Sequence, residues 1–472
     1  MKQKGGFSGQ IGFVLAAAGS AVGVGNLWRF PYLAAKDGGG LFLVIYLVLV
    51  LTVGFTLLTT DIAIGRKTGK SAIYAYESMR KKWKFLGVIT FIVPVLIMTY
   101  YAVIGGWILK YITIYILGSG KEAVADNCFT NFITSPSSVW YGIVFMLLTA
   151  IIVYNGVEKG IERVSKFIMP VLLVMVIGIA IFSLTLKTTL DDGTVRTGLQ
   201  GLKIYLTPDM SGITVQKFLQ ISLDAMSQLF FSLSVSMGIM ITYGSYVKKD
   251  VNLNRAVSQI EIMDTGVAFL AGMTIIPAVF VFSGLDGMSA GPGLMFVSLP
   301  NVFFRMGVAG RVVGLLFFLL AGFAALTSCI SVLESIAANC MELFHTERKK
   351  TTGILSIIYL IITAVIALGY SIFYVEVKLP NGSTGQLLDI MDYISNSFLM
   401  PFISLLSAIL IGWIIKPSWI TEEIELNGEK FSRKKLYNVM IKYIMPVIMV
   451  ILFLQSTGLI NIIISKISAM IG

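Results

Sequence analysis

The chain has 472 residues, of which 56% are hydrophobic and 13% are charged, and its mean hydropathy is +0.85. Soluble proteins average about 45–50% apolar and about 25% charged residues. The composition therefore indicates a membrane protein and excludes a water-soluble enzyme, a disordered chain and a nucleic-acid binder. The net charge is +11, an excess that reports topology in a membrane protein because lysine and arginine collect in cytoplasmic loops.

Eleven segments are apolar over a length that can cross a bilayer, which takes about 20 residues. In chain order they lie near 11–35, 41–64, 86–117, 138–155, 164–186, 216–247, 252–283, 307–344, 353–374, 387–415 and 436–466. Basic residues fill alternate loops, which predicts a cytoplasmic N-terminus and a C-terminus outside. No small-x-small cleavage site follows a short apolar core, so we interpret the first segment as a span and not a signal peptide. The sequence thus predicts one all-helical membrane domain over 1–472.

The first span is interrupted at mid-depth. Three glycines fall within the seven residues Gly19–Gly25, and Asn26 and Arg29 follow at once. Each glycine costs a helix about 1 kcal/mol relative to alanine, and an ionised side chain inside a membrane usually faces a cavity or a partner. A close helix contact through small residues explains Gly19 and Gly23, but it does not explain the polar residues that follow.

The sixth span carries a polar run of its own at the corresponding place in the second half of the chain. Ser232, Ser234 and Ser236 alternate, and Gly238 closes the run. Serines in a membrane helix commonly bond back to the preceding turn, so the run alone is weak. Paired interruptions in two halves, however, are typical of a secondary transporter's central site. Carbonyl and N–H groups released from a helix suit a metal cation beside a zwitterion.

Further polar residues lie inside apolar spans. The adjacent hydroxyls of Thr327 and Ser328 have two possible roles: they donate hydrogen bonds within the helix, or they serve as the hard oxygen ligands that sodium prefers. A buried carboxylate needs a cation or a donor nearby, a requirement that applies to Asp264, Asp61 and Asp392.

Two other function classes are disfavoured: a channel, because the polar groups form compact clusters, and a membrane enzyme, because His345 is the single histidine and no catalytic spacing appears.

Long motifs in chain order resemble the neurotransmitter:sodium symporter family, in its bacterial amino-acid transporter branch. They are Gly19–Pro31, Lys36–Gly40, Asp61–Arg66, Tyr100–Tyr101, Lys159–Arg163, Thr207–Asp209, Phe230–Ser234, Ile241–Tyr246 and Leu388–Asp392. The resemblance implies the leucine-transporter fold, with two inverted five-helix repeats near 11–186 and 216–415 and an extra helix near 436–466. It also implies that helices 1 and 6 are unwound in mid-membrane.

The resemblance implies one substrate site and two sodium sites. For the substrate it implies Ala21, Gly25, Ile97, Tyr101, Phe231, Ser232, Ser234, Met237, Ser328 and Val332. For the first sodium it implies Ala21, Asn26, Ser232 and Asp264 together with the substrate's carboxylate. For the second sodium it implies Gly19, Val22, Ala324, Thr327 and Ser328.

The resemblance also implies moving parts. The outer gate would pair Arg29 with Asp392 above Tyr101 and Phe231. The inner gate would pair Lys4 with Glu342 under Phe7, and lysine binds a carboxylate less rigidly than the arginine usual in the family. Gly160 and Pro170 bracket a segment of helix 5 that either unwinds to admit water to the second sodium or is an ordinary helix start with a proline kink.

Differences from relatives narrow the expected substrate. Monoamine transporters have an aspartate where this chain has Gly23, so a substrate with its own carboxylate is favoured. Chloride-dependent members coordinate chloride near Tyr46 and Gln228, which are retained, but the fixed charge of Asp264 predicts chloride independence. Met237 replaces an aromatic residue of some relatives, and it either admits a larger side chain or simply fills space.

These inferences predict a sodium-coupled symporter, not an enzyme, that imports a neutral, hydrophobic or aromatic amino acid by alternating access with two sodium ions and no chloride. The alternative is a sodium symporter for another small carboxylated solute, such as an osmolyte or GABA. The expected partners are the amino acid and the lipid bilayer, with no nucleic acid. We expect a monomer or weak dimer in a bacterial inner membrane.

Overall fold

The computed structural model describes residues 6–118, 120–380 and 384–459, and these residues are mostly helical. Within them, the first half of the chain forms α1 to α11, at Gln10–Ala21, Val24–Leu27, Arg29–Lys36, Gly40–Leu49, Phe55–Thr68, Ala72–Met79, Lys84–Ile116, Gly120–Ala123, Cys128–Thr134, Ser137–Tyr154 and Arg163–Leu184. Short π-helical or 3₁₀ turns join some of them, at Val50–Gly54, Lys81–Trp83 and Val157–Glu162.

The second half of the described chain forms α12 to α23, at Gly198–Leu206, Val215–Ser232, Ile239–Gly244, Leu253–Ser283, Leu299–Arg305, Val308–Phe344, Arg348–Ala367, Leu387–Asp392, Met400–Ile409, Ser418–Ile424, Lys434–Val439 and Met445–Ser456. Further π-helical or 3₁₀ turns lie at Leu285–Gly287, Leu294–Ser298, Leu368–Tyr370, Tyr393–Leu399, Leu410–Ile415 and Met440–Ile444. Two antiparallel hairpins pair β1 with β2 and β3 with β4, at Lys187–Thr189, Val195–Thr197, Val377–Lys378 and Thr384–Gly385.

Nine continuous helical runs of the described chain are long and apolar enough to cross a membrane, and they coincide with nine of the eleven predicted spans. They are Gly40–Thr68, Lys81–Ile116, Ser137–Tyr154, Val157–Leu184, Leu253–Ser283, Val308–Phe344, Arg348–Tyr370, Leu387–Ile415 and Lys434–Ser456. The first predicted span is a pair of helices, Gln10–Ala21 and Val24–Lys36, bent by 60°. The sixth, predicted at 216–247, is split between α13 and α14. Eleven spans therefore stays a prediction.

The first helix lies at the centre of the bundle. All but three of the twelve residues of α1 are buried, and α1 packs against α11, α15 and α17. Large apolar side chains instead cover the periphery; Val174 and Ile262, for example, are each 71% exposed. An apolar outer face around a polar-lined centre is the arrangement expected where lipid replaces water as the solvent.

Candidate functional site

The chain leaves helical geometry where the glycine run predicts an interruption. The helix α1 ends at Ala21, Val22 and Gly23 are extended, and α2 begins at Val24. Side chains take up the released backbone groups: the Gly23 N–H donates to Oδ1 of Asn26 at 3.3 Å. The Val24 N–H donates to the Tyr101 hydroxyl at 3.3 Å. At this break, the backbone N–H groups of Gly23 and Val24 donate to side-chain oxygens and not to helix carbonyls.

A second interruption separates α13 from α14. Between Ser232 and Ile239 the backbone of Ser234 has φ 52°, that of Ser236 has φ 61° and that of Gly238 has φ 75°. Two non-glycine residues with positive φ so close together are unusual. The hydroxyl of Ser234 donates to the carbonyl of Ser20 at 2.9 Å, so the two interruptions are in direct contact.

A cavity lies between the two interruptions. It is lined by Ser20, Ala21, Gly23, Ile97, Tyr101, Phe231, Ser234, Met237, Ile239, Ser328 and Val332. Eight of the ten predicted substrate positions are in this lining. The other two lie behind it: Ser232 bonds to Asp264, and Gly25 is covered by Phe231, whose ring would lie 2.5 Å from a Cβ at that position. The substrate prediction missed Ser20, Gly23 and Ile239, of which Ser20 and Gly23 fall inside the motif Gly19–Pro31 and Ile239 falls outside the quoted motifs.

Two of the predicted ligands of the first sodium, Asn26 and Ser232, contact a third, the buried carboxylate of Asp264. The Asn26 amide donates to Oδ1 of Asp264 at 2.8 Å, and the Ser232 hydroxyl donates to its Oδ2 at 2.8 Å. Asp264 is fully buried, and no lysine, arginine or histidine of the described chain forms an ion pair with it. Ala21 ends α1, where the last carbonyls of a helix lack helical partners. Among the described residues this carboxylate has only neutral donors, and with the Asn26 and Ser232 oxygens beside it the cluster offers the hard oxygen ligands that sodium prefers.

The five predicted positions of the second sodium are also adjacent. The Thr327 hydroxyl donates to the Ala324 carbonyl at 3.2 Å, and the Ser328 hydroxyl lies 3.5 Å from the carbonyl of Val22. A Cβ at Gly19 would lie 3.2 Å from Cβ of Thr327. Each hydroxyl oxygen keeps lone pairs when its proton turns aside, so the cluster can offer carbonyl and hydroxyl oxygens to one cation.

The two charged residues predicted to form the outer gate are not joined to each other. The Arg29 guanidinium donates to the Ser227 hydroxyl at 2.6 Å. Asp392 accepts from the Tyr100 hydroxyl at 2.8 Å and from the Asn396 amide at 2.6 Å. Arg29 and Asp392 form no direct ion pair in this structure, and each has neutral hydrogen-bond partners among the described residues.

The start of the described chain packs against α14 and the residues that follow it. Phe7 is 1% exposed and packs edge-on against Tyr243, with ring centroids 5.5 Å apart. Its backbone N–H donates to the carbonyl of Tyr246 at 3.2 Å. Glu342 accepts from the backbone N–H of Ser71 at 3.0 Å, which fixes the loop before α6. Lys4, its predicted partner, lies outside the described residues.

The fifth predicted span corresponds to the turn Val157–Glu162 and α11, called helix 5 below, and the segment between Gly160 and Pro170 is helical throughout. Gly160 lies in the π-helical turn Val157–Glu162, and Pro170 lies inside α11. Glu162, which the sequence did not single out, accepts from the backbone N–H and hydroxyl of Ser8 and from Lys166, whose Nζ lies 2.6 Å away. One carboxylate therefore ties the start of the chain to the start of this helix.

Known proteins are similar to this chain over most of its length. The model of the sodium:neurotransmitter symporter family matches residues 4–131 and 129–466. The chain belongs to this family. It is 34% identical over 463 residues to YhdH, an uncharacterized sodium-dependent transporter of Bacillus subtilis strain 168, across 96% of this chain and 98% of the relative. It is 25% identical over 470 residues to the sodium- and chloride-dependent GABA transporter 2 of Rattus norvegicus, across 89% of this chain and 74% of the relative.

A solved structure agrees with the family match. The crystal structure of MhsT in complex with L-phenylalanine aligns with a TM-score of 0.82 at 35% identity, across 96% of this chain and 100% of that chain. MhsT has the leucine-transporter fold, and this chain shares it. The protein is a sodium-dependent, multi-pass membrane symporter and not an enzyme, as the motifs predicted.

Proposed function

We propose that this symporter imports a neutral, hydrophobic or aromatic amino acid by alternating access, driven by two sodium ions and without chloride. The observation that carries the proposal is a cavity with no charged side chain in its lining, located beside the buried carboxylate of Asp264. Such a cavity accommodates a substrate whose own charges are met by backbone groups and by a cation. The N–H groups near Gly23 and the Tyr101 hydroxyl would receive its carboxylate.

The side-chain end of the cavity favours an apolar substrate. Ile97, Met237, Ile239 and Val332 contribute hydrocarbon or thioether surface, and Phe231 contributes a ring. Flexible methionine adapts to substrates of different shape and makes favourable contacts with aromatic rings. MhsT, which shares the fold, was crystallised with L-phenylalanine.

The proposal extends to the membrane spans, the ion sites, the moving parts and the location of the protein. The chain would cross the membrane eleven times, with the non-helical residues at 22–23 and 233–238 acting as the unwound parts of helices 1 and 6. The oxygen clusters at Asp264 and at Thr327 would hold one sodium each. Gly160 and Pro170 would let helix 5 open, and Arg29 with Asp392 would close the outer side.

We place the protein in a bacterial inner membrane as a monomer or weak dimer, with its N-terminus in the cytoplasm and its C-terminus outside.

A second candidate substrate is a small carboxylated solute such as GABA or an amino-acid-derived osmolyte. The likeness to a GABA transporter favours it. Chloride separates the two lineages: that relative is chloride-dependent by name, whereas Asp264 here supplies a fixed negative charge. The two residues that match the chloride site of relatives, Tyr46 and Gln228, are both present. The Tyr46 hydroxyl and Oε1 of Gln228 have no hydrogen-bond partner within the described chain, and the proposal gives them no ion to bind.

Competition binding tests the substrate class. Purified protein is incubated with labelled L-phenylalanine in sodium or potassium, with chloride or gluconate, and challenged with tryptophan, leucine, GABA and glycine betaine. We expect saturable binding that needs sodium, ignores chloride and is displaced by tryptophan and leucine. No saturable binding of L-phenylalanine, with sodium-dependent binding of labelled GABA or glycine betaine in its place, would overturn the amino-acid assignment in favour of the second candidate.

A further inference from the structure

A buried carboxylate outside the cavity holds the interruption between α13 and α14. Asp61 lies in α5, is 2% exposed, and its Oδ2 accepts the backbone N–H of Ser236 at 2.8 Å. No ion pair joins Asp61 to a basic side chain of the described chain, and Asp61 does not line the cavity. The contact joins a buried carboxylate oxygen to a buried N–H at a normal hydrogen-bond length, so it restrains the position of one backbone amide.

The restrained amide belongs to a residue in an unfavourable conformation. Ser236 has φ 61° although it is not glycine. Such a conformation persists only when the surroundings over-determine it. The second restraint comes from α20, where the hydroxyl of Ser404 donates to the hydroxyl of Ser236 at 2.6 Å. Two helices, α5 and α20, thus hold Ser236 from outside the cavity.

The position of Ser236 controls residues that do line the cavity. Met237 follows it directly, and Ser234, two residues earlier, is held on the opposite side by the carbonyl of Ser20. Because the backbone dihedrals of Ser236 set the direction in which the next residue leaves the chain, they determine where the Met237 side chain enters the cavity.

We propose that Asp61 and Ser404 are positioning residues for substrate selection: by clamping Ser236 in its left-handed conformation they fix Met237 and hence the size and shape of the side-chain end of the cavity. The inference rests on the proposed function for its assignment of this cavity as the substrate site. Among the described residues, neither Asp61 nor Ser404 forms a hydrogen bond with the Asp264 or Thr327 clusters, so we expect the clamp to act on substrate side chains and to leave the sodium ligands in place.

Double-mutant cycles on the full-length protein test the clamp. The readout is the ratio of apparent affinities for L-phenylalanine and L-leucine in saturating sodium. We expect Asp61→Ala and Ser404→Ala each to change this ratio by about threefold or more, and Asp61→Asn, which keeps an acceptor, to change it less. Ser407→Ala is the matched control: its hydroxyl is also buried on α20 but accepts from Tyr76, and the ratio should not change.

Ser236→Gly provides the decisive background. Glycine adopts positive φ without strain and lacks the hydroxyl that Ser404 contacts. Both Asp61→Ala and Ser404→Ala should therefore have much smaller effects on the ratio in Ser236→Gly than in wild type. Equal effects in both backgrounds, or equal loss of affinity for both amino acids with no change in their ratio, would overturn the proposal.

A ligand-free readout separates failure of the clamp from failure of the substrate assignment. Hydrogen exchange across 233–238 should be faster in Asp61→Ala than in wild type and unchanged in Ser407→Ala. If wild-type protein binds neither amino acid, the proposed substrate class fails, while faster exchange still supports the clamp on the backbone. Unchanged exchange in Asp61→Ala overturns the clamp whatever the substrate is.

Discussion

The side-chain amide of Asn26 lies 2.8 Å from the carboxylate of Asp264, and it joins the interruption of the first helix to the middle of α15. The two residues are 238 positions apart in the chain. Their contact places a negative charge beside the backbone groups that the helix break releases. If sodium binds here, this charge is its strongest ligand, and the charge should also replace the chloride that some relatives require.

Removing this charge should weaken binding and create a response to anions. We expect Asp264→Asn to lose sodium-dependent amino-acid binding by at least about tenfold, which corresponds to about 1.4 kcal/mol, and chloride to restore part of the loss where gluconate does not. Titrations in both salts measure this. Glu261→Gln is the matched control, because Glu261 is also buried on α15 but pairs with Arg433. An unchanged affinity in Asp264→Asn would remove the proposed role of the charge.

The glycine at position 25 should be intolerant of even one methyl group. A Cβ there would lie 2.5 Å from Cδ1 of Phe231, so the ring must leave its place beside the cavity. We expect Gly25→Ala to abolish measurable substrate binding while the protein still folds. Gly178→Ala in α11, where a Cβ meets nothing within 4 Å, should bind as wild type. Normal binding by Gly25→Ala would show that Phe231 does not shape the site.

Much of this architecture is predictable from the sequence because it follows from apolar length and from glycine. The run Gly19–Gly25 indicates the first interruption since glycine weakens a helix wherever it stands. The serine run at 232–236 is a weaker signal, because serine is tolerated in membrane helices. Its position in the second half of the chain, and not its composition, makes it informative.

Contacts set by rotamers and backbone conformation are not predictable in this way. The sequence pairs Arg29 with Asp392 by charge, but Tyr100, Asn396 and Ser227 satisfy the two groups separately. Asp61 is visible as a carboxylate in an apolar span, yet its partner is a backbone N–H. Any residue type except proline supplies that group, so no pattern of side chains could identify it.

The carboxylate of Glu162 should keep the start of the chain in place. It accepts the backbone N–H of Ser8 at 2.8 Å and lies in the π-helical turn at the start of helix 5. We expect Glu162→Ala to increase hydrogen exchange in residues 6–13, because the N-terminal segment loses its anchor. Glu158→Ala, at an exposed position of the same turn, should leave exchange as in wild type. Unchanged exchange in Glu162→Ala would contradict the anchoring role.

An acidic residue outside the spans should make stability depend on pH. Burial raises the pKa of Asp37 from 3.8 to about 6, with Lys36 opposing the rise and Asp224 adding to it. The folded protein then holds this proton between about pH 4 and 6, where the unfolded chain releases it, so stability falls as pH rises through that window. We expect Asp37→Asn to flatten this part of the Tm profile, whereas Asp126→Asn, at an exposed position, should not. An identical profile in Asp37→Asn would refute the assignment.

Uptake into proteoliposomes tests sodium-coupled amino-acid import most directly. Purified protein is reconstituted in chloride-free buffer, and labelled L-phenylalanine is followed under an inward sodium gradient, an equal potassium gradient or no gradient. The account predicts accumulation above the external concentration under the sodium gradient alone, enhanced by an inside-negative potential. Equilibration without accumulation, or uptake that is the same in potassium, would contradict it.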